Sequence, residues 1–446
     1  MRIATPKQRL TFIPLLGIIF FSTSGGPFGM EDIAAAGPRF ALVLLVVTPL
    51  VWSLPLALVA AELGAMLPLE GGYYRWATLA LGRFWGFQMG WWNWLCSFID
   101  MALYPVLFGT ALKFFASDLT VWQQQSISFT VILSSLAVNL LGVKLVGRSA
   151  LVAFVVVNLP FALLAVWGLP NVTVSNWFPG FLTIPAGGLR PVSESIGLAL
   201  SVALWSYSGW ECVSTFAGEV DKPSRTVPLA TLAAVPLVAL LYLLPLGVAL
   251  GGSDWKTWHS ESHTISQIAS GIVGPWLGVC VSLAIMASSW TQYNSLLLSY
   301  SRLPVAMAEE GLLPGWINRL HPARLTPDRS LLLCSAIYAL FTFVGFRELV
   351  ILDALVTVIT ALLLFITLAV LRRTKPDLPR PFALPGGRPG LCVVGASLAA
   401  CIIALFYYTL VGRDDTWKQT AIAGALLATG PIAYCFRILR PRGAGL

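Results

Sequence analysis

Ser22-Thr23-Ser24-Gly25-Gly26-Pro27 interrupts the first apolar run of the chain, and Ser206-Tyr207-Ser208-Gly209 interrupts the sixth. Glycine is poor in a helix interior, and proline lacks a donor and clashes one turn back. Both runs are otherwise apolar enough for a bilayer, where unpaired backbone groups cannot face lipid, so each break must line a protein-walled cavity. The breaks stand five runs apart. Five is odd, so a repeat of five spans re-enters the membrane inverted. Paired broken helices at matching positions of inverted repeats point to a secondary transporter with its site near mid-membrane.

Composition agrees with a membrane setting. Of 446 residues, 57% are hydrophobic and 11% charged, with a mean hydropathy of +0.80. A soluble domain carries about 25% charged residues. In water this composition would expose very large apolar patches, so an all-α polytopic membrane protein with the lipid bilayer as its solvent is expected and a soluble enzyme is excluded. Apolar runs bounded by charge, Pro or Gly fall at 10–37, 40–66, 84–112, 126–142, 149–169, 194–218, 227–250, 271–306, 331–345, 349–371, 390–411 and 419–439, which predicts twelve spans. With the N-terminus inside, 21 of the 28 Lys and Arg fall on the cytoplasmic side and 7 on the other. The positive-inside rule then sets both termini in the cytoplasm, at the plasma (inner) membrane. The same distribution explains the net charge of +8 without nucleic acid. No small-residue cleavage site follows the first apolar run, so that run is expected to remain as a span.

Acids within or at the ends of spans are the candidates for chemistry, because a charge at that depth costs several kcal/mol. Glu31 and Asp32 follow the first break, Glu211 follows the second, and Asp100 lies midway along the third span. No basic partner is in sight for these four, nor for Asp353. Asp353 lies near the start of the tenth span, where it is able to reach the outer headgroups. A carboxylate left unpaired there is neutralised by a proton or by a bound cation, which favours a cationic substrate in competition with protons. Aromatic residues cluster nearby, among them Phe28, Tyr104, Trp205, Tyr207 and Trp210, and aromatic faces with carboxylates suit a cation. An α-amino acid would instead need a cradle of free N–H groups, here near Gly25 and Gly26.

Enzyme chemistry finds little support. The histidines His259, His263 and His321 all fall in loops. His259 and His263 have a metal-like spacing but no third ligand nearby, so no metal is expected. No nucleotide-binding loop is present, and no cofactor is expected. The seven cysteines form no C-x-x-C pair and read as packing thiols. A channel would need rings of pore-lining charge, which are absent; a transporter-like receptor would need a signalling appendage, and both tails are short.

Ser24-Gly25-Gly26-Pro27-Phe28-Gly29 with Glu31-Asp32 resembles the amino acid–polyamine–organocation (APC) superfamily. Trp52-Ser53-Leu54-Pro55, Ala61-Glu62-Leu63, Gly71-Gly72-Tyr73, Trp210-Glu211 and Met307-Ala308-Glu309-Glu310-Gly311 extend the likeness, in particular to the plant-type polyamine uptake transporters and their prokaryotic relatives. The resemblance implies a LeuT-type fold: an inverted repeat of five plus five spans with broken helices 1 and 6, then two peripheral helices. The corresponding units are 1–170, 190–375 and 385–446. It implies a substrate site at Ser24, Gly25, Gly26, Trp205, Tyr207, Ser208, Gly209, Trp210 and Glu211. Gly71 and Gly72 then become gating candidates beneath the site, and Ser288 and Ser289 candidates for sodium at the first break. Glu62 and Asp353 are further coupling candidates. Span eight carries Gln292, Tyr293 and Asn294 where plant-type members carry acids, and span five carries Asn158 rather than a coupling Lys. The function expected is alternating-access transport of amino acids or polyamines, with a cationic substrate and proton-coupled symport or exchange. A neutral amino-acid permease is the alternative.

Overall fold

The computed structural model describes residues 10–69, 71–116, 118–178, 189–258, 264–322, 324, 326–412 and 416–439. Their helices of eight residues or more are α1 (Phe12–Thr23), α2 (Pro38–Met66), α3 (Gly72–Leu81), α4 (Arg83–Leu112), α5 (Val121–Leu141), α6 (Val143–Trp167), α7 (Leu189–Ser206), α8 (Pro223–Gly252), α9 (Ile265–Ile272), α10 (Pro275–Tyr300), α11 (Arg302–Glu309), α12 (Asp328–Phe341), α13 (Phe346–Thr374), α14 (Gly387–Gly412) and α15 (Thr416–Leu439). Among the described residues eight helices are long and apolar enough to cross a membrane: α2, α4, α5, α6, α8, α13, α14 and α15. Large apolar side chains stand exposed on their outer faces, such as Leu133, Val152, Val393 and Ile403, each more than 60% exposed. Water does not tolerate such a surface and lipid does.

The helices that end early are the ones the sequence breaks. α1 stops at Thr23, and the chain next turns as a 3-10 segment at Glu31–Ala36. α7 stops at Ser206, followed by a 3-10 segment at Cys212–Glu219. The second half of each broken helix is therefore 3-10 rather than α-helical. At one end of the molecule, the Leu10 N–H donates to the Glu219 carbonyl at 2.8 Å and the Asp221 N–H donates to the Leu10 carbonyl at 2.8 Å. The entry to α1 is thus pinned to the exit of the second break. On the other side of the breaks, the Glu31–Ala36 segment packs against α7. The two breaks touch. Gly209 has a left-handed φ of 97°, and a Cβ there would overlap the Ser22 carbonyl oxygen. Only glycine lets the two backbones approach this closely.

Around this centre, α1 packs on α6, α8 and α10, while α4 packs on α10 and α13. A π turn at Pro49–Ser53 bends α2 against the second break, where Ser53 and Trp52 donate to Tyr207 and Ser208. Mid-helix π turns often accompany functional sites.

Candidate functional site

Two broken helices leave carbonyls without intrahelical partners, and buried carbonyls must be paired. Side chains from neighbouring helices do this. At the first break, Gln292 Nε2 donates to the Ser24 carbonyl at 2.9 Å and the Ser288 hydroxyl donates to the Gly25 carbonyl. At the second, Tyr242 donates to Ser206 at 3.0 Å, while Ser53 and the Trp210 indole donate to Tyr207 at 3.2 and 2.7 Å. Both breaks are thereby kept free of unpaired carbonyls at these positions.

Between them lies a cavity of about 30 Å³, room for one or two waters at roughly 15 Å³ each. Ser22, Thr23, Ser24 and Phe28 line it from the first break, and Trp205, Ser206, Ser208, Gly209 and Glu211 from the second. Asn93, Cys96, Asp100 and Tyr104 line it from α4, with Tyr242, Gln292, Tyr300, Asp353 and Thr357 completing the wall. Three carboxylates face this space, from Asp100, Glu211 and Asp353, and no Lys or Arg lines it.

Each acid is held differently. Asp100 Oδ1 accepts from the Tyr104 hydroxyl at 2.9 Å and the Trp205 indole at 3.2 Å, and Oδ2 accepts from the Tyr300 hydroxyl at 3.1 Å. Three elements aim donors at it, so its orientation is fixed while no charge balances it. Asp353 is 3% exposed, accepts from the Cys96 thiol at 2.9 Å and contacts Thr357 at 3.4 Å. Of the two readings of this coupling candidate, its burial disfavours the one that reaches to the headgroups: its face of α13 packs on α4, two turns inside the helix. Glu211 pairs with no cation among the described residues.

Other expected residues lie elsewhere. Gly25 and Gly26 shape the break without lining the cavity; a Cβ at Gly26 would meet Phe28 and Phe161 at 3.2 and 3.3 Å. Tyr207 and Trp210 are buried in packing, Tyr207 against Tyr242 with ring centroids 5.0 Å apart. Glu31 caps α9 by accepting the Ile265 N–H at 2.9 Å. Asp32 does have a basic partner, because Arg347 grips it with two hydrogen bonds of 2.8 and 2.6 Å. The sequence hides that pair because 315 residues separate its members. Glu62, fully buried, is held by Arg372, Arg380 and the Leu384 N–H.

Glu31 and Asp32 line a second, larger cavity of about 580 Å³, at the end of the molecule bearing Lys113, Trp258 and Arg347. Phe28 lines both cavities, and Phe346 of the larger one packs edge-on against Trp205 of the smaller with centroids 5.8 Å apart. The partition is therefore aromatic. The Asp32–Arg347 pair beside it is partly exposed, with Arg347 at 47%, so it is worth at most about 1 kcal/mol. At the opposite end Gly71 donates to the Thr215 carbonyl at 3.0 Å, and a Cβ at Gly72 would overlap Ser214. This turn thus sits directly against the Cys212–Glu219 segment. Nearby, Tyr74 donates to Glu310 at 2.7 Å, and burial with that carboxylate pushes its phenol well above the ordinary range.

Ser289 is buried, with its hydroxyl unpartnered among the described residues. Among those residues no group of three or more metal-ligating side chains converges; His259 and His263 lie outside them. Asn93, Cys96, Tyr242, Tyr300 and Thr357 escaped the sequence reading. Asn93, Cys96 and Tyr104 share the face of Asp100 at helical spacing, a signal present in the chain; the others come from distant helices.

The family model described as amino acid permease matches residues 10–430. The chain is 34% identical to a probable polyamine transporter of Arabidopsis thaliana over 408 residues, covering 90% of this chain and 80% of that protein. It is also 34% identical to the polyamine transporter PUT1 of Oryza sativa subsp. japonica, over 89% of this chain and 74% of that one. With the branched-chain amino acid permease BcaP of Bacillus subtilis (strain 168) it shares 24% identity, over 76% of this chain and 75% of the permease.

Proposed function

The chain belongs to the amino acid permease family, whose members are integral membrane transport proteins and not enzymes, and on that premise we propose that it is a secondary active transporter of a cationic substrate, a polyamine or a basic amino acid. One observation carries the reading. Asp100, Glu211 and Asp353 face a single small cavity between two broken helices, and no Lys or Arg lines that cavity. Uncompensated carboxylates at mid-membrane mark substrate or proton pathways.

Transport proceeds by alternating access. The cavity of about 30 Å³ has room for only one or two waters, so a polyamine enters only when one side opens. Towards the larger cavity the barrier is Phe28, Trp205 and Phe346, with Asp32 and Arg347 latching it. Towards the other end it is the Gly71-Gly72 turn on the Cys212–Glu219 segment. Substrate ammonium groups and protons compete for the same carboxylates, which couples cation movement to proton movement as symport or exchange. The architecture proposed is twelve spans, with units 1–170 and 190–375 as inverted repeats and 385–446 peripheral, both termini in the cytoplasm of the plasma (inner) membrane. The contact between the two breaks and the asymmetry of Lys and Arg support it. A neutral amino-acid permease is the second reading, supported by the likeness to BcaP.

Competition uptake in proteoliposomes separates the two. Of putrescine, spermidine, arginine and leucine as competitors, one or more of the three cations should displace a labelled cationic substrate, and leucine should not. Displacement by leucine alone sinks the cationic reading.

A further inference from the structure

We propose that Gln292 closes the first break to carboxylates, so that the site takes amines lacking a carboxyl group and turns away the matching α-amino acids. This rests on the central cavity being the substrate site and narrows its substrate class.

A bound carboxylate needs converging N–H donors. At the first break these are the N–H groups of Ser24, Gly25 and Gly26, and all three are engaged. Ser24 and Gly25 both donate to the Phe20 carbonyl, at 2.7 and 3.3 Å. Gly26 donates to the hydroxyl of Ser24 at 3.2 Å. Over Gly25 lies the carboxamide of Gln292, so close that a Cβ on Gly25 would overlap its Cδ. That accounts for the absence of Gly25 from the cavity wall while Gln292 is part of it.

The orientation of this amide follows from its partner. The Ser24 carbonyl only accepts, so the NH₂ group must face it, at 2.9 Å, and Oε1 must turn away. Gln292 is 3% exposed, and its Oε1 has no hydrogen-bond partner among the described residues. Gln292, a residue of the cavity wall, thus holds over Gly25 an unpartnered amide oxygen, which accepts from an ammonium group and has nothing to offer a carboxylate. The unpartnered hydroxyls of Ser22, Thr23 and Ser206 on the wall do not replace the backbone N–H groups engaged at the first break, and a buried carboxylate short of donors is a basis for rejection. Asp100, Glu211 and Asp353 on the remaining wall act in the same sense.

Substrate pairs differing only by the carboxyl group provide the test: putrescine against ornithine, and agmatine against arginine. With the full-length protein in proteoliposomes, the amine of each pair should be taken up at least tenfold faster than its amino acid. Gln292→Ala uncovers Gly25 and should raise the ornithine-to-putrescine uptake ratio tenfold or more. Gln292→Glu keeps the length and shape over Gly25 and should leave ornithine excluded. Comparable uptake of both members of each pair by the unaltered protein overturns the inference while leaving the cavity as a cation site. A Gln292→Ala protein that carries putrescine and still excludes ornithine overturns the role of Gln292. If Gln292→Ala does not fold, the ratios of the unaltered protein and of Gln292→Glu decide. Uptake of no member of either pair overturns the underlying reading and the inference with it.

Discussion

At the scale of single residues, Asp100 is the cavity acid held by the most donors. Three donors from α4, α7 and α10 orient its carboxylate, and none of them carries a charge. Asp100→Asn preserves shape and removes that charge. One charge-assisted hydrogen bond is worth about 1.5–3 kcal/mol, so uptake of a cationic substrate should fall about tenfold or more. Its pH dependence should flatten as well. Unchanged uptake and an unchanged pH profile in this variant would remove Asp100 from recognition. Gly209 is the second decisive residue. Its φ of 97° and its contact with the Ser22 carbonyl leave no space for a methyl group. Gly209→Ala should destabilise the protein by about 1–3 kcal/mol, read as a lower unfolding temperature in detergent; an unshifted temperature would mean the breaks tolerate separation.

Among the elements, the Gly71-Gly72 turn is the one proposed to gate, and the Glu62 cluster is a buried ion network. The turn lies against the second half of the broken α7 helix. Gly72→Ala must push Ser214 aside, so turnover should slow about tenfold while substrate affinity changes by less than about threefold. The reverse split, with affinity lost and turnover of bound substrate normal, would assign the turn to the binding site. The Glu62 carboxylate ties α2 to the end of α13 and to the segment before α14 through Arg372, Arg380 and the Leu384 N–H. Removing one member of a buried ion cluster strands the others, at a cost of about 3–5 kcal/mol. Glu62→Ala should therefore lower the yield of folded protein and the melting temperature, whereas Arg347→Ala, which breaks a half-exposed pair, should barely move either.

For the whole molecule, the testable property is orientation. Asp254 lies just beyond α8, four residues before Trp258 of the larger cavity, and Thr374 closes α13 two residues after Arg372 of the Glu62 cluster. In a background without reactive cysteines, Asp254→Cys should react with an impermeant maleimide added from outside and Thr374→Cys should not. The opposite pattern would invert the topology and exchange the roles of the two barriers.

The chain by itself determined the membrane setting and the two interruptions, because hydropathy and the backbone demands of Gly and Pro are local properties. The breaks at Ser24-Gly25-Gly26 and Ser208-Gly209 follow from residue type alone, and the Asp100 stripe on α4 follows from helical periodicity. Tertiary structure decided which acids lie together. Asp353 turns inward to join Asp100 and Glu211, while Asp32 and Glu62 are claimed by Arg347 and Arg372. Those partners lie more than 300 residues away along the chain. Whether a carboxylate is neutralised depends on distance in space, and a linear sequence records only distance along the backbone. Gln292 shows the same limit: its meaning comes from lying over Gly25, a juxtaposition made by helices packed side by side.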